Sequence, residues 1–576
     1  MSVVSRLSFA QGGAVNHVAT ALVAVAVFVV ALISRVGIID HPPIYDELYQ
    51  LLPALSLQDG NGFAILDGIY DRAGLFTRLI TFSLDLAGER STHAARLIPS
   101  AIPGALFVLL IFVWARYVAG FTAASIAAFF MIFWPNGIEV SQYIRFYAMQ
   151  GLVFGAGAIL TYTAIVGDRL LWVRGVAVAL ALLCFLFAAH LQLLTMIGVG
   201  GLLLWIAIVH APGWLRAEPR LWWVLGGGVV AALAILASGI FTNTILRLWE
   251  TYNWAPWPAI DDRMFYHRDF RDNYPTFWPL FPVAAIIALR ANFMVASFCL
   301  LLFSTSFVLQ SFGGLKNIRY LYPTMPFFFV IWGIALQFLL PRIWTFLKES
   351  APAAVAPVVT GLAGRIVAFG FLAIAILFFV AGNAAFERGL RLTLGKDENE
   401  LLGKRRWQWT EASEMVRPWV EDRAVIISTE EMRAVEWLGD FDIGYNKPRF
   451  SELLFMIGPD VMPFTEDGRS GRPIAGEISD MITVMRCHPV GVALSDAHWA
   501  YGRSATTLHD AIVELGGEAT RDVRGGVSMV AWRFDGGPVG DADCSVLPDL
   551  AESRAADRIL SGDREPQAVY SARADR

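Results

Sequence analysis

The sequence predicts an α-helical polytopic membrane protein of about 11 transmembrane helices with a C-terminal extracytoplasmic α/β domain. Three observations predict it. Of 576 residues, 56% are hydrophobic and only 16% charged, with a mean hydropathy of +0.53. That is too little charge to cover the surface of a soluble chain of this size. Apolar runs of about 20 residues, the length that crosses a bilayer core, recur up to residue 383. From Glu387 onward the long apolar runs stop, charge density rises, and strand and helix patterns alternate.

Eleven runs qualify as spans: 16–39, 97–118, 120–139, 147–166, 170–189, 191–210, 221–241, 276–289, 291–311, 321–341 and 365–383. The eighth, around Phe277–Leu289, is short and punctuated by proline. The first is too long for a signal-peptide core and lacks a cleavage site, so it reads as an uncleaved anchor. Orientation follows from the basic residues of short loops. With Arg6 in the cytoplasm, the cytoplasmic loops hold Arg116, Arg169, Arg174, Arg216, Arg220, Arg290, Arg342, Lys348 and Arg365. The loop 40–96 is then extracytoplasmic, and eleven spans bring 384–576 to the same side. The outer side also carries Arg72, Arg78, Arg90, Arg96, Arg145, Arg247, Arg263, Arg268, Arg271, Lys316 and Arg319, against the positive-inside trend. Either the topology is inverted, or these cations meet something anionic on the outer face. The net charge of -5 says nothing about nucleic acid, and no basic tract suggests it.

The organisation is therefore a membrane domain over residues 1–383, an outer α/β domain over 384–535, and a polar tail, 536–576, expected to be disordered. The first outer loop mixes apolar helical patterns (Leu48–Leu57, Leu75–Leu86) with breaks at Asp59-Gly60-Asn61-Gly62, a composition suited to lying in the membrane interface. The second, 242–275, is rich in aromatics and charges. In the outer domain Ala424–Ser428, Val490–Leu494 and Val527–Phe534 read as strands. Helices are expected to start at Glu430-Glu431 and to cover Thr506–Leu515. Neither a Gly-rich phosphate loop nor a nucleophile motif is present there. Cys184 and Cys299 lie in spans; Cys487 and Cys544 lie outside them, and nothing in their spacing selects a pairing.

The chemistry concentrates in four short motifs on the outer face. The first is His41-Pro42-Pro43-Ile44-Tyr45-Asp46-Glu47, just beyond the first span. Two adjacent carboxylates where a helix leaves the bilayer are costly to hold there and invite a functional explanation, although acids in a solvated loop are common. The others are Thr92-His93-Ala94-Ala95-Arg96-Leu97-Ile98-Pro99-Ser100, Ser141-Gln142-Tyr143-Ile144-Arg145-Phe146-Tyr147 and Lys316-Asn317-Ile318-Arg319-Tyr320-Leu321-Tyr322-Pro323. Singly, arginines at helix ends are ordinary snorkelling residues. In this order and on one face, the motifs resemble the GT-C superfamily of integral membrane glycosyltransferases, above all bacterial relatives of protein O-mannosyltransferases and of the aminoarabinose transferase that modifies lipid A. The resemblance covers roughly residues 20–340 and does not extend to the C-terminal domain.

The resemblance implies a bacterial inner-membrane enzyme that takes a sugar from a polyprenyl-phosphate donor and passes it to a lipid, glycan or protein acceptor. Asp46 would be the general base and Glu47 an accessory. Arg145, Lys316, Arg319 and Arg96 would meet the leaving phosphate. Tyr147, His93, His190, Asp261, His267 and Tyr320 are expected to line the cavity. No cofactor is required; a divalent ion held by Asp46, Glu47, Asp261, Asp262, His93 or His267 is compatible with the residue types. Two other readings stand beside it. A transporter or flippase of lipid-linked sugars would share the outer cations but should carry charged or broken residues deep in its spans. A sensor or scaffold would leave Asp46, Arg145 and Arg319 without a role.

Overall fold

A computed structural model describes residues 14–37, 41–167, 169–239, 262–349, 382–395, 409–457, 461–495, 503–535, 543–547 and 554–566, with a few single residues between them. Among these, seven helices are long and apolar enough to cross a membrane. They are α1 (Ala14–Val36), α4 (Thr92–Val118), α7 (Tyr147–Val166), α8 (Leu171–Leu191), α9 (Thr195–Ala217), α13 (Phe293–Phe312) and α14 (Met325–Glu349). The expected third span is instead broken. It forms α5 (Phe121–Ile132) and α6 (Pro135–Ser141), bent by 63°. Pro135 lacks the N–H that would continue the ladder and pushes Trp134 out of the helical region. The seventh run forms α10 (Leu221–Ala237), and the eighth forms the short α12 (Phe277–Ala291), with Pro282 inside it. Most of the eleventh, 365–383, lies outside the described residues. This is a multi-pass membrane protein.

The spans pack on small and aromatic residues. In α7, Gly151 and Gly155 face the rings of Tyr322 and Phe107, and any Cβ there would collide with them. Leu171, Trp172, Leu182, Leu183 and Leu186 of α8 stay exposed, an apolar face that suits lipid.

The first long loop folds into α2 (Tyr45–Gln58), a hairpin of β1 (Ala64–Ile65) and β2 (Gly68–Ile69), and α3 (Gly74–Ala87). Leu48, Leu51, Leu52 and Leu55 of α2 bury against Phe76, Ile80 and Leu84 of α3. The Thr77 hydroxyl donates to Gln50 Oε1 at 2.7 Å across that seam. Leu75, Phe82 and Leu86 of α3 remain exposed, as a helix lying in the interface requires. From the second loop comes α11 (Phe265–Asn273), which leads into α12.

After α15 (Ala384–Thr393) and α16 (Trp409–Glu421), the C-terminal domain forms β3 (Val425–Ser428), α17 (Glu431–Leu438), β4 (Ile443–Tyr445), α18 (Lys447–Ile457), β5 (Thr465–Asp467), β6 (Arg472–Ala475), α19 (Ile478–Cys487), β7 (Val490–Ser495), α20 (Arg503–Glu514), β8 (Glu518–Arg524) and β9 (Val527–Arg533). These strands make one seven-stranded sheet in the order β5-β6-β4-β3-β7-β9-β8. The inner strands β6, β4, β3 and β7 run parallel; β5, β9 and β8 pair antiparallel. The expected strands and helices of this domain are all present.

Two boundaries are corrected. Helix α15 belongs to the membrane domain: Phe386 packs among Phe130, Tyr274 and Phe277, and Gly389 lies directly on the Phe133 carbonyl. The polar tail is also partly folded. Cys544 is disulfide-bonded to Cys487, and α21 (Ala555–Ser561) docks on the C-terminal domain. Its polarity marks ion pairing, because the fully buried Asp440 takes Arg558 as well as Arg472, and Arg564 reaches Asp67 of the first loop. A buried carboxylate needs such partners. Residues 567–576 lie outside the described residues.

Candidate active site

Glu47 and Arg96 form a sealed pair, each with 0% of its side chain exposed. Arg96 grips the carboxylate with two bonds, Nε to Oε1 at 3.0 Å and Nη2 to Oε2 at 2.9 Å. The same carboxylate accepts the Ile44 N–H at 2.7 Å, closing the first turn of α2, and the Ile144 N–H at 2.6 Å. Arg96 also donates to the carbonyls of Ile39 and His41, at 2.7 and 2.5 Å. Burial works against ionisation of Glu47, but Arg96, His41 and these hydrogen bonds outweigh it and hold the carboxyl below its usual range. The expectation of Arg96 as a phosphate ligand is corrected: its donors are consumed in locking the exit of α1 to α2 and to the Ser141–Tyr147 segment. Glu47, for its part, is saturated and closed to a substrate.

Asp46 points elsewhere. Its side chain is 32% exposed and Oδ2 accepts from Arg319 Nη1 at 2.8 Å, the arginine being 15% exposed. Arg145 Nη1 donates to the Asp46 backbone carbonyl at 2.9 Å. The Arg319 guanidinium lies 5.1 Å from the Tyr147 ring and 5.8 Å from that of Tyr320. Arg145 and Arg72 lie 5.1 and 5.6 Å from the Phe146 ring. Five expected residues, Asp46, Arg145, Arg319, Tyr147 and Tyr320, thus meet at one place. Aromatic faces hold the guanidiniums without neutralising them, and Nε of both Arg145 and Arg319 has no hydrogen-bond partner among the described residues. With Glu47 already paired to Arg96, the Asp46 carboxylate is left to Arg319, and Arg145 holds its backbone. Tyr70 reports the resulting field: burial raises its phenol, yet Arg145, then Arg72 and Arg469, outweigh this and hold it below its ordinary value.

The other expected residues lie apart from this cluster. The Lys316 ammonium donates to the carbonyls of Gly313 and Gly314 and ties the turn ahead of Arg319. His190 is exposed at the end of α8, and His93 is half-buried in the first turn of α4. His267 Nδ1 accepts from Trp278 at 2.9 Å, Asp262 pairs with Arg268, and Asp261 lies outside the described residues. Among the described residues, no three His, Cys, Asp or Glu side chains gather as a metal-ligand set.

Against Tyr320 lies an uncharged chamber with room for about one water molecule. Its polar groups are Gln150, Gln192, Thr195, Ser306, Gln310 and Thr324. Arg72 Nη2 donates to Gln192 Oε1 at 3.1 Å, linking chamber and arginine cluster. Sequence reading missed Tyr70, the role of Arg72 and the glutamines, because each sits singly in its segment and only packing assembles them.

No family model matches the chain, and no curated protein is similar to it in sequence. Solved structures are. ArnT from Cupriavidus metallidurans bound to undecaprenyl phosphate superposes with a TM-score of 0.55 at 16% identity, covering 93% of this chain and 100% of that one. Its apo form gives 0.54 at 16% identity, over 92% and 98%. The chain has the GT-C fold. The archaeal oligosaccharyltransferase AglB from Archaeoglobus fulgidus, with an inhibitory peptide and a dolichol-phosphate, gives 0.49 at 13% identity, over 94% of this chain and 78% of that one.

Proposed function

We propose that this GT-C protein is an inverting glycosyltransferase of the bacterial inner membrane. It moves a sugar from a polyprenyl-phosphate donor to a lipid, glycan or protein acceptor at the outer face, with its N-terminus in the cytoplasm. One observation carries the reading: Arg319 pairs with the partly exposed carboxylate of Asp46, and Arg145 holds the backbone carbonyl of the same residue. An ArnT of the same fold holds undecaprenyl phosphate.

In this reading the donor phosphate sits against Arg145 and Arg319, whose guanidinium N–H groups supply charge-assisted hydrogen bonds. Asp46 takes the proton of the acceptor hydroxyl as that oxygen attacks the anomeric carbon. The bond from that carbon to the phosphate oxygen breaks, and its electron pair leaves with the polyprenyl phosphate, where the arginines meet the charge. One displacement inverts the anomeric centre. Arg319 serves either anion: a bound phosphate draws it from Asp46, and a carboxylate relieved of its cation is the stronger base.

The test is purified protein with radiolabelled polyprenyl-phosphate sugars. Transfer abolished by Asp46→Asn in a normally folded protein supports the reading, and unchanged transfer refutes Asp46 as base. Transfer is expected to survive a chelator, since guanidiniums meet the phosphate charge; loss on chelation would call for an ion at Asp46.

A further inference from the structure

The C-terminal domain touches the site through one buried carboxylate. Parallel sheets present their working groups beyond the carboxyl ends of their strands. Beyond β3 comes Glu431, beyond β4 comes Asn446, and both face the membrane domain there. Glu431 Oε2 accepts from the Tyr45 hydroxyl at 2.5 Å and from Asn446 Nδ2 at 3.3 Å. Tyr45 Oη in turn lies 3.0 Å from Tyr49 Oη. Tyr45 is the first residue of α2 and Asp46 the second.

The glutamate is an expensive choice for a mere contact. It is 4% exposed, and Oε1 has no partner among the described residues. A buried carboxylate without a cation carries a desolvation penalty that a glutamine would not. Room is made for it as well: a Cβ on Gly444 would come within 3.1 Å of its Cγ. Burial pushes Glu431 up to about 7, with Tyr45 and Asn446 opposing and Asp467 adding to the rise. The other charged groups around the Tyr45–Tyr49 pair are Glu430 and Arg469, the latter 5.3 Å from the Tyr49 ring.

We propose that Glu431 is a positioning residue for the transfer reaction: through the Tyr45 hydroxyl it fixes the first turn of α2 and thereby aims the Asp46 carboxylate. The C-terminal α/β domain is then a component of the catalytic apparatus. This rests on Asp46 acting as the base.

The test uses the full-length protein in detergent with a polyprenyl-phosphate sugar. Glu431→Ala and Tyr45→Phe should each lower kcat by about 10-fold or more, since small misplacements of a reacting group cost up to about 100-fold. KM for the donor and affinity for bare polyprenyl phosphate should stay at the parent values. The double variant should be no worse than either single one, because one hydrogen bond is lost in all three. Glu431→Gln should recover much of kcat, its amide oxygen still accepting from Tyr45, and should remove an ionisation near neutrality from the pH–rate profile. Additive losses, an unchanged kcat, or an activity that merely tracks thermal stability in every variant would overturn the proposal. Asp46→Asn in parallel separates two failures. If it is active, the base reading falls and this one with it; if it is inactive while Glu431→Ala is fully active, only this one falls.

Discussion

Asp46 and Glu47 are neighbours in sequence and opposites in environment. Glu47 is enclosed, doubly bonded to Arg96 and capped by two backbone N–H groups; Asp46 is a third exposed and meets Arg319. The same chemical group is a structural tie in one case and a reactive candidate in the other. The lesson lies in saturation. Glu47 has donors on each oxygen and nothing left to offer, whereas the Arg145 and Arg319 guanidiniums beside Asp46 each keep an unmet N–H.

Several substitutions can break that contrast. The largest effect is expected for Asp46→Asn: transfer should fall by about 10²–10⁴-fold, the usual worth of a general base, with thermal stability kept. Next comes Arg96→Ala, which strands a buried charge and should destabilise the protein by about 3–5 kcal/mol. It should be read as loss of folded, monodisperse material before any kinetic change. Should Glu47 and Asp46 exchange these behaviours, the division is wrong. Arg145→Ala or Arg319→Ala should weaken binding of polyprenyl phosphate by about 1.5–3 kcal/mol each, the worth of a charged hydrogen bond, measurable as a raised donor KM.

The smallest effects are pH-dependent and carry opposite signs. Glu47 has a folded pKa below its usual 4.5, so its contribution is present above that pH and is lost as pH falls through the folded value. Glu431 and Asp442 are raised by burial to about 7, so the folded chain holds more protons than the unfolded one up to there. Their effect is a stability that declines as pH rises toward about 7 and then levels. Thermal unfolding across pH should show both limbs, and Glu431→Gln should shrink only the upper one, leaving the share of Asp442.

Much of this was legible in the chain. Seven of the apolar runs became full-length helices because twenty or so apolar residues have few other stable arrangements in a bilayer. Three of the seven strands of the C-terminal sheet, β3, β7 and β9, followed from their apolar runs, whereas β4, β5, β6 and β8 did not. The motifs around Asp46, Arg145 and Arg319 could be ranked because they share one face. Polarity misled for the tail, since Arg558 and Arg564 are polar in order to meet acids of the folded chain. Glu431 was legible only as a helix start; its bond to Tyr45, 386 residues away, was not.

The sequence by itself determined that two carboxylates stand just beyond the first span, amid arginines that do not belong there. Only the tertiary structure decided which of the two faces the site. Successive residues of a helix point about 100° apart, so a single turn sends Glu47 inward to Arg96 and leaves Asp46 partly exposed against Arg319.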